Sequence, residues 1–354
     1  MLLFKERTRI IPFFTFHRGC TTVCSFCNQQ SMIDSEPLNP PDITKKVINY
    51  LADDSTRKTE VAFFGGTFTR MSRDEMLEYL LPVQPFIREK SISQIRISTR
   101  PDALDESIAD FLAKHNVRTV CLGIESIFED VLYHSRRYYN LDIIEKSLNL
   151  LSERGIGTVL QIMLGLPLDT REKSMKTLSW ASGKNVSGVR ICPTLILKNT
   201  YLESLYRQNK YSLWEERVFY DLLEYGLLAF YKSRIPVLRI GLCIDSSIRK
   251  NYVAGLLHHS LGDYIEYRSF FRILAQKFGT ADSGTNIELQ PELKKFINGY
   301  GGENRQRLIS QFGISNISFA EEGISEKEIV SMALEMPLKD IISEYSKTGN
   351  YERD

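Results

Sequence analysis

Three cysteines fall within eight residues near the start of the chain: Cys20, Cys24 and Cys27 in HRGCTTVCSFCNQQ, a Cys-x3-Cys-x2-Cys spacing. Thiolates are soft ligands that select iron-sulfur clusters, zinc or copper. Three on one short loop can hold three corners of a cubane cluster and leave one iron open to another ligand. Zinc is the competing reading, but a tetrahedral zinc site wants a fourth ligand, usually from a second cysteine or histidine pair. Cys121, Cys192 and Cys243 stand alone, and His17 is the only nearby histidine. Cys121 and Cys192 fall in predicted strands and read as small core residues.

Such a loop needs a frame. From Thr8 to about residue 200 the sequence alternates short β-rich runs with longer amphipathic ones, the pattern of a parallel sheet with helices outside it. Strands are predicted at 10–16, 60–64, 94–98, 119–124, 157–163 and 188–193, with a seventh at 237–242. Helices are predicted at about 42–53, 73–87, 104–115, 141–154, 171–184 and 214–233, from apolar residues three and four apart. Six strand-helix units fit an α/β fold of the open, partial (β/α)6 TIM-like barrel kind better than a closed eight-unit barrel. In both, ligands gather at the carboxyl ends of the strands.

The remaining suggestive residues sit at those ends. Gly65-Gly66-Thr67 follows the second strand, Ser98-Thr99-Arg100-Pro101-Asp102 the third, Gly123-Ile124-Glu125-Ser126 the fourth and Met163-Leu164-Gly165-Leu166-Pro167 the fifth. Glycines let a ligand approach the backbone. Glu125 can accept hydrogen bonds and Arg100 can donate them, suiting diol and carboxylate partners. Each group alone also reads as a turn, a cap or a surface pair. Their common location at consecutive strand ends favours a site.

The cysteine triplet, with aromatic Phe26 before its third member, resembles the motif of the radical S-adenosylmethionine (SAM) superfamily. That resemblance implies a 4Fe-4S cluster on Cys20, Cys24 and Cys27, reductive cleavage of SAM to a 5′-deoxyadenosyl radical, and hydrogen abstraction from a substrate. It also implies that Gly65, Gly66 and Thr67 approach the methionine amino group. Ser98, Arg100 and Glu125 would serve the ribose hydroxyls and the carboxylate, with Phe26 in the same cofactor-binding set and residues 163–167 near the adenine. No residue is singled out as catalytic. A reductant such as flavodoxin or ferredoxin is the implied partner.

STRPD, LGIES, MLGLP and CPTLILKNTYLESLY resemble, more narrowly, the radical SAM core of the Elongator catalytic subunit over about residues 8–212. In Elongator this core modifies the wobble uridine of tRNA with acetyl-CoA from a fused acetyltransferase domain. Here only about 110 residues follow Leu242 and no acetyl-CoA-like glycine loop is found, so carboxymethylation is not carried over. The chain reads as a short Elongator-like protein of the kind also related to oxygen-independent coproporphyrinogen oxidase. RNA, tRNA first, is the candidate substrate. Tailoring of a small molecule or peptide, as in haem biosynthesis, is the alternative within the class, and a noncatalytic RNA-binding protein with a structural metal is the alternative outside it.

Arg190, Lys198 and Arg239, with His258-His259, are candidates for the substrate end of the barrel, where cations suit an anionic group. The division expected is a radical SAM core over 1–245 and a small α+β domain over 246–354. Within the latter, residues 286–319 read as strand, helix, Gly299-Tyr300-Gly301-Gly302, helix, strand. KH modules clamp a nucleic-acid backbone with that arrangement. Arg305, Arg307, Lys294 and Lys295 could reach phosphates. A last helix begins near Ser325, with Glu328 completing a capping box and Ile329, Met332, Ala333 and Met336 forming a core stripe.

The bulk numbers exclude little more. With 45 basic and 44 acidic residues, nothing global argues for nucleic acid, so any basic patch is local. Six cysteines are too few for a disulfide scaffold at this size. No cleavable leader and no apolar run of membrane-spanning length is read, which together with the thiols points to the cytoplasm.

Overall fold

A computed structural model of the 354-residue chain describes residues 8–29, 39–52, 58–278, 286–299, 305–306, 309 and 316–335. Six strands rich in Val, Ile and Phe lie side by side in chain order: β1 (Arg9–Phe14), β2 (Thr59–Phe64), β3 (Ile95–Thr99), β4 (Val117–Glu125), β5 (Gly157–Leu164) and β6 (Gly188–Pro193). β7 (Leu195–Leu197) leaves this sheet, and β8 (Val237–Ile240) joins it beside β6 as its seventh strand. Every neighbouring pair is parallel. The sheet curls into a half-barrel, the partial TIM-like architecture expected from the alternation.

Helices supply the outer layer: α1 (Asp42–Ala52), α2 (Arg73–Leu80) with α3 (Gln84–Arg88), α4 (Glu106–Lys114), α5 (Glu129–His134), α6 (Leu141–Glu153), α7 (Arg171–Ser182), α8 (Tyr201–Arg207) and α9 (Glu216–Lys232). Their starts are written in the sequence. Ser72 forms a reciprocal capping box with Glu75, while Asp105, Asn140, Thr170 and Thr200 each accept from a backbone N–H of the first turn. Each helix buries one stripe, such as Ile144, Leu150 and Leu151 of α6. The strands are buried on both faces, as a covered parallel sheet requires.

The chain continues through α10 (Ser246–Asn251) and β9 (Tyr252–Gly255), which pairs antiparallel with β7, to α11 (Leu261–Phe278). Helix α11 packs on α9 and buries Ile265, Phe270, Ile273 and Leu274. Burial works against the charge of Glu224 on α9. Arg268 and Arg272 of α11, at 2.5 and 2.7 Å, nevertheless hold its carboxyl below the usual range.

Beyond lie β10 (Asn286–Leu289), α12 (Lys294–Asn298) and β11 (Asn316–Phe319), with β10 and β11 paired in parallel, and a helix over Glu326–Glu335. Ser325 and Glu328 cap that helix reciprocally, and Ile329 and Ala333 are buried. Of the KH-like pattern, Gly299 is described, at φ +54. Tyr300, Gly301, Gly302 and Arg307 lie outside the described residues, as does Met336. Arg305 donates to the Ile317 carbonyl at 3.1 Å. No helix among the described residues is long and apolar enough to cross a membrane.

Candidate active site at the carboxyl ends of the strands

The loop after β1 folds back on itself through Cys20 N–H to His17 O and Cys27 N–H to Cys24 O. The segments around it hold it in place. Ser25 N–H donates to Ser135 O at 3.1 Å, and Ser25 O accepts from Leu202 N–H at the start of α8, at 2.7 Å. Phe26 is buried in an apolar cluster with Val131, Leu166, Ile196, Leu202 and Tyr211, which anchors the loop from below. The three thiols are free and partly exposed. Burial pushes the Cys20 and Cys27 thiols up, and the neighbouring thiols add to it; cationic iron would reverse that balance. Among the described residues, no three His, Cys, Asp or Glu side chains converge as ligands of a single ion.

The glycine turn after β2 is fitted under this loop. Gly65 and Gly66 have φ of +80 and +62. A Cβ on Gly66 would stand 2.5 Å from Arg18 O and 2.6 Å from Thr15 O, so only glycine fits. Gln29 ties the two loops: its Oε1 accepts from His17 N–H at 2.7 Å and from Gly66 N–H at 2.9 Å. Thr67 Oγ1 lies 3.3 Å from Cys20 Sγ.

Opposite them, a bulge between Gly123 and Glu125 interrupts the β4 register, and Glu125 takes φ +60. Backbone strain of that kind in a non-glycine residue costs on the order of 1–3 kcal/mol and concentrates at sites. It delivers the carboxylate into the interior, where burial raises its pKa while Arg137 and Gln161 oppose the shift. Glu125 Oε1 is 3.5 Å from Arg137 and 3.4 Å from Gln161; Oε2 is buried without a hydrogen-bond partner. Arg137 also donates to Cys24 Sγ at 3.2 Å, to Tyr139 Oη at 2.7 Å and to Gly123 O.

All ten predicted ligand residues, Cys20, Cys24, Cys27, Phe26, Gly65, Gly66, Thr67, Ser98, Arg100 and Glu125, line one cavity of about 240 Å³. Met163 and Arg190 join them. Arg100 is already clamped by Asp102 through two 2.9 Å bonds. The other candidates are elsewhere: Lys198 donates to Lys250 O, Arg239 pairs across from Arg190 on β8, and His258 stacks on Tyr264 while His259 faces Arg249. Sequence reasoning missed Arg137, Gln29 and Gln161. Gln29 lies two residues after the third cysteine and Gln161 two residues before the predicted strand end, so both had a positional signal; Arg137, in a loop after a short helix, had none.

Two family profiles match the chain in tandem, the radical SAM superfamily over residues 14–181 and the radical SAM C-terminal domain over residues 186–268. The chain belongs to the radical SAM superfamily. It is an enzyme whose cofactors are a 4Fe-4S cluster and SAM. It is 26% identical to the uncharacterized protein MJ0486 of Methanocaldococcus jannaschii over 172 residues, 47% of this chain and 52% of that one. It is 22% identical to the tRNA uridine(34) acetyltransferase of the same organism over 191 residues, 48% of this chain and 35% of that one. The chain thus spans about half the length of the first relative and about a third of the second. In fold it is similar to the archaeal Elp3 of Methanocaldococcus infernus, with a TM-score of 0.56 at 18% identity, covering 77% of this chain and 63% of that one.

Proposed function

We propose that Cys20, Cys24 and Cys27 hold the cluster and that the cavity around them binds SAM for reductive cleavage, with an RNA, tRNA first, as substrate. The carrying observation is that three free thiols, a glycine turn and a buried carboxylate with one unpartnered oxygen line one cavity at the strand ends. When bound, the cluster supplies one electron and SAM supplies the 5′-deoxyadenosyl group that takes a hydrogen atom from substrate.

The chain's own groups fit those tasks. Gly65 and Gly66 let their turn pack against the cysteine loop, where Gln29 fixes it, and both line the cavity that a ligand amino group would enter. Glu125 Oε2, buried without a donor, is an acceptor suited to a ribose hydroxyl. Ser98 lines the same cavity. Arg137 donates to Cys24 Sγ and holds Glu125, so it is a positioning residue. Arg100 has two donors committed to Asp102, which leaves it a carboxylate partner only through the rest of its fork. Support for RNA comes from likeness to the tRNA uridine(34) acetyltransferase and to Elongator complex protein 3 of Saccharomyces cerevisiae, 21% identical over 189 residues.

The test is anaerobic. With reconstituted protein, SAM and dithionite, wild type should form 5′-deoxyadenosine and Cys24→Ala should form none. Glu125→Gln should need at least about tenfold more SAM, roughly 1.4 kcal/mol. Added tRNA should raise the rate where metabolite extracts do not. No product from protein with a full iron and sulfide complement, together with a paramagnetic resonance spectrum unchanged by SAM, overturns the cleavage reading.

A further inference from the structure

The turn that sends Arg137 inward sends its neighbours outward. Arg136 has φ +60, and residues alternate along it: Ser135, Arg137 and Tyr139 are buried, while Tyr133, His134 and Tyr138 are exposed. Tyr133 and Tyr138 are 65% and 57% exposed and meet edge to face, with ring centroids 5.3 Å apart. Arg136 lies 3.8 Å over the ring of Tyr201, itself 44% exposed at the start of α8. Large aromatic rings left this open have lost the burial that ordinarily justifies them.

This patch is joined to the cysteine loop by hydrogen bonds from both sides. Ser135 accepts from Ser25 N–H, and Leu202, next to Tyr201, donates to Ser25 O. Ser25 follows Cys24 directly, so the backbone that carries the patch is tied down one residue from a cysteine of the triplet. Tyr and Arg are the residues that concentrate binding energy at protein interfaces. Of the acids on the two flanking helices, Asp130 and Glu203 are each held by a cation, Lys173 at 2.5 Å and Arg207 at 2.7 Å, while Glu129 is exposed one turn before Tyr133. Arg136 has no carboxylate partner among the described residues and can take one from outside. A nucleic acid would need several Lys or Arg contacts to phosphates for comparable affinity, and the patch offers Arg136 and His134.

We propose that Tyr133, Arg136, Tyr138 and Tyr201 form the docking surface for the electron donor, a small acidic carrier of the ferredoxin type. The step is a single-electron exchange: the carrier's cluster is oxidised by one electron, the cluster on the cysteine loop is reduced by one, and no proton or bond changes hands. The inference rests on the cysteine loop being the cluster site. Electron-transfer encounters are small and weak, which suits a surface of a few aromatic groups and one salt bridge.

The test separates docking from chemistry. Binding of a purified acidic 2Fe-2S ferredoxin to the holoprotein is measured by calorimetry at low and high salt, for wild type, Arg136→Glu, Arg136→Lys and the double variant Tyr133→Ala, Tyr138→Ala. We expect salt-sensitive binding that falls at least tenfold in Arg136→Glu and in the double variant and is largely kept in Arg136→Lys. The ferredoxin-supported rate should fall in step, while the dithionite-supported rate stays within twofold. Unchanged binding in both variants overturns the proposal. So does a loss of tRNA binding with ferredoxin binding intact, which would make the surface an RNA platform. Failure of dithionite to support cleavage in wild type would strike the reading of the site, and the binding comparison would still decide the surface.

Discussion

Two glycines in the cavity wall do different work, and their substitution should separate fold from binding. A methyl on Gly66 would press on the backbone oxygens of Arg18 and Thr15, and the residue's φ of +62 disfavours any side chain. Gly66→Ala should therefore cost at least about 2 kcal/mol of stability and loosen the cysteine loop. A methyl on Gly123 would instead meet the ends of side chains, Glu125 Oε1 at 2.8 Å and Arg137 Nη2 at 3.2 Å, which can shift. Gly123→Ala should fold near normally but weaken SAM binding about tenfold, on the order of 1.4 kcal/mol. Urea midpoints and equilibrium dialysis of SAM check both; equal loss of stability in the two variants would contradict the distinction. The strand-end residues were legible in the sequence because a parallel sheet delivers its carboxyl ends to one face. Arg137 was not, because which way a loop side chain turns is set by backbone geometry, here the left-handed turn at Arg136, that carries no periodic signature.

At the scale of elements, each barrel strand appears within a few residues of its predicted place, and so do the helices between them. Apolar runs and capping residues such as Asn140 and Thr170 declare them locally. The elements that were not legible are short or depend on distant partners: α5, α8, the β7–β9 pair and α11, whose buried faces are complete only against other parts of the chain. One of these, α8, bears on the site. Thr200 is its cap, donating to Leu197 O at 2.8 Å and accepting from Glu203 N–H at 3.0 Å, and two residues later Leu202 N–H holds Ser25 O. Thr200→Val keeps the shape and removes the cap, so it should cost about 1 kcal/mol. The cysteine loop should then open more often, and iron release to a chelator should quicken severalfold relative to wild type. Release at the wild-type rate would mean that α8 does not hold the loop.

For the whole molecule, the informative charges are buried carboxylates. Asp169, after β5, accepts from Gly165 N–H at 2.9 Å and from Ser174 Oγ at 2.6 Å, and burial lifts its pKa to about 6 despite them. Asp221 on α9 is lifted to about 6 by burial and by Glu224, against the pull of Arg272, Arg268 and Arg171. A carboxyl whose folded pKa exceeds its unfolded value of about 3.9 binds its proton more tightly in the native state. Below pH 4 both states are protonated and these groups contribute nothing to the difference. As pH rises from 4 to 6 the unfolded chain ionises freely while the folded chain resists, so stability falls, and above 6 the loss is complete. Each shift corresponds to as much as about 3 kcal/mol. Carboxylates held below their usual range, such as Glu224 and Asp130, tilt the profile the other way at lower pH, so the comparison must be between variants. Asp169→Asn and Asp221→Asn remove a charge that costs stability at pH 7 but is absent at pH 4. Urea unfolding of the reconstituted protein across pH 4 to 7.5 should show each variant gaining on wild type as pH rises through this window, with the gain levelling above pH 6. A constant offset at all pH values would mean that these carboxylates are ionised at their ordinary pKa and that their burial is relieved by water.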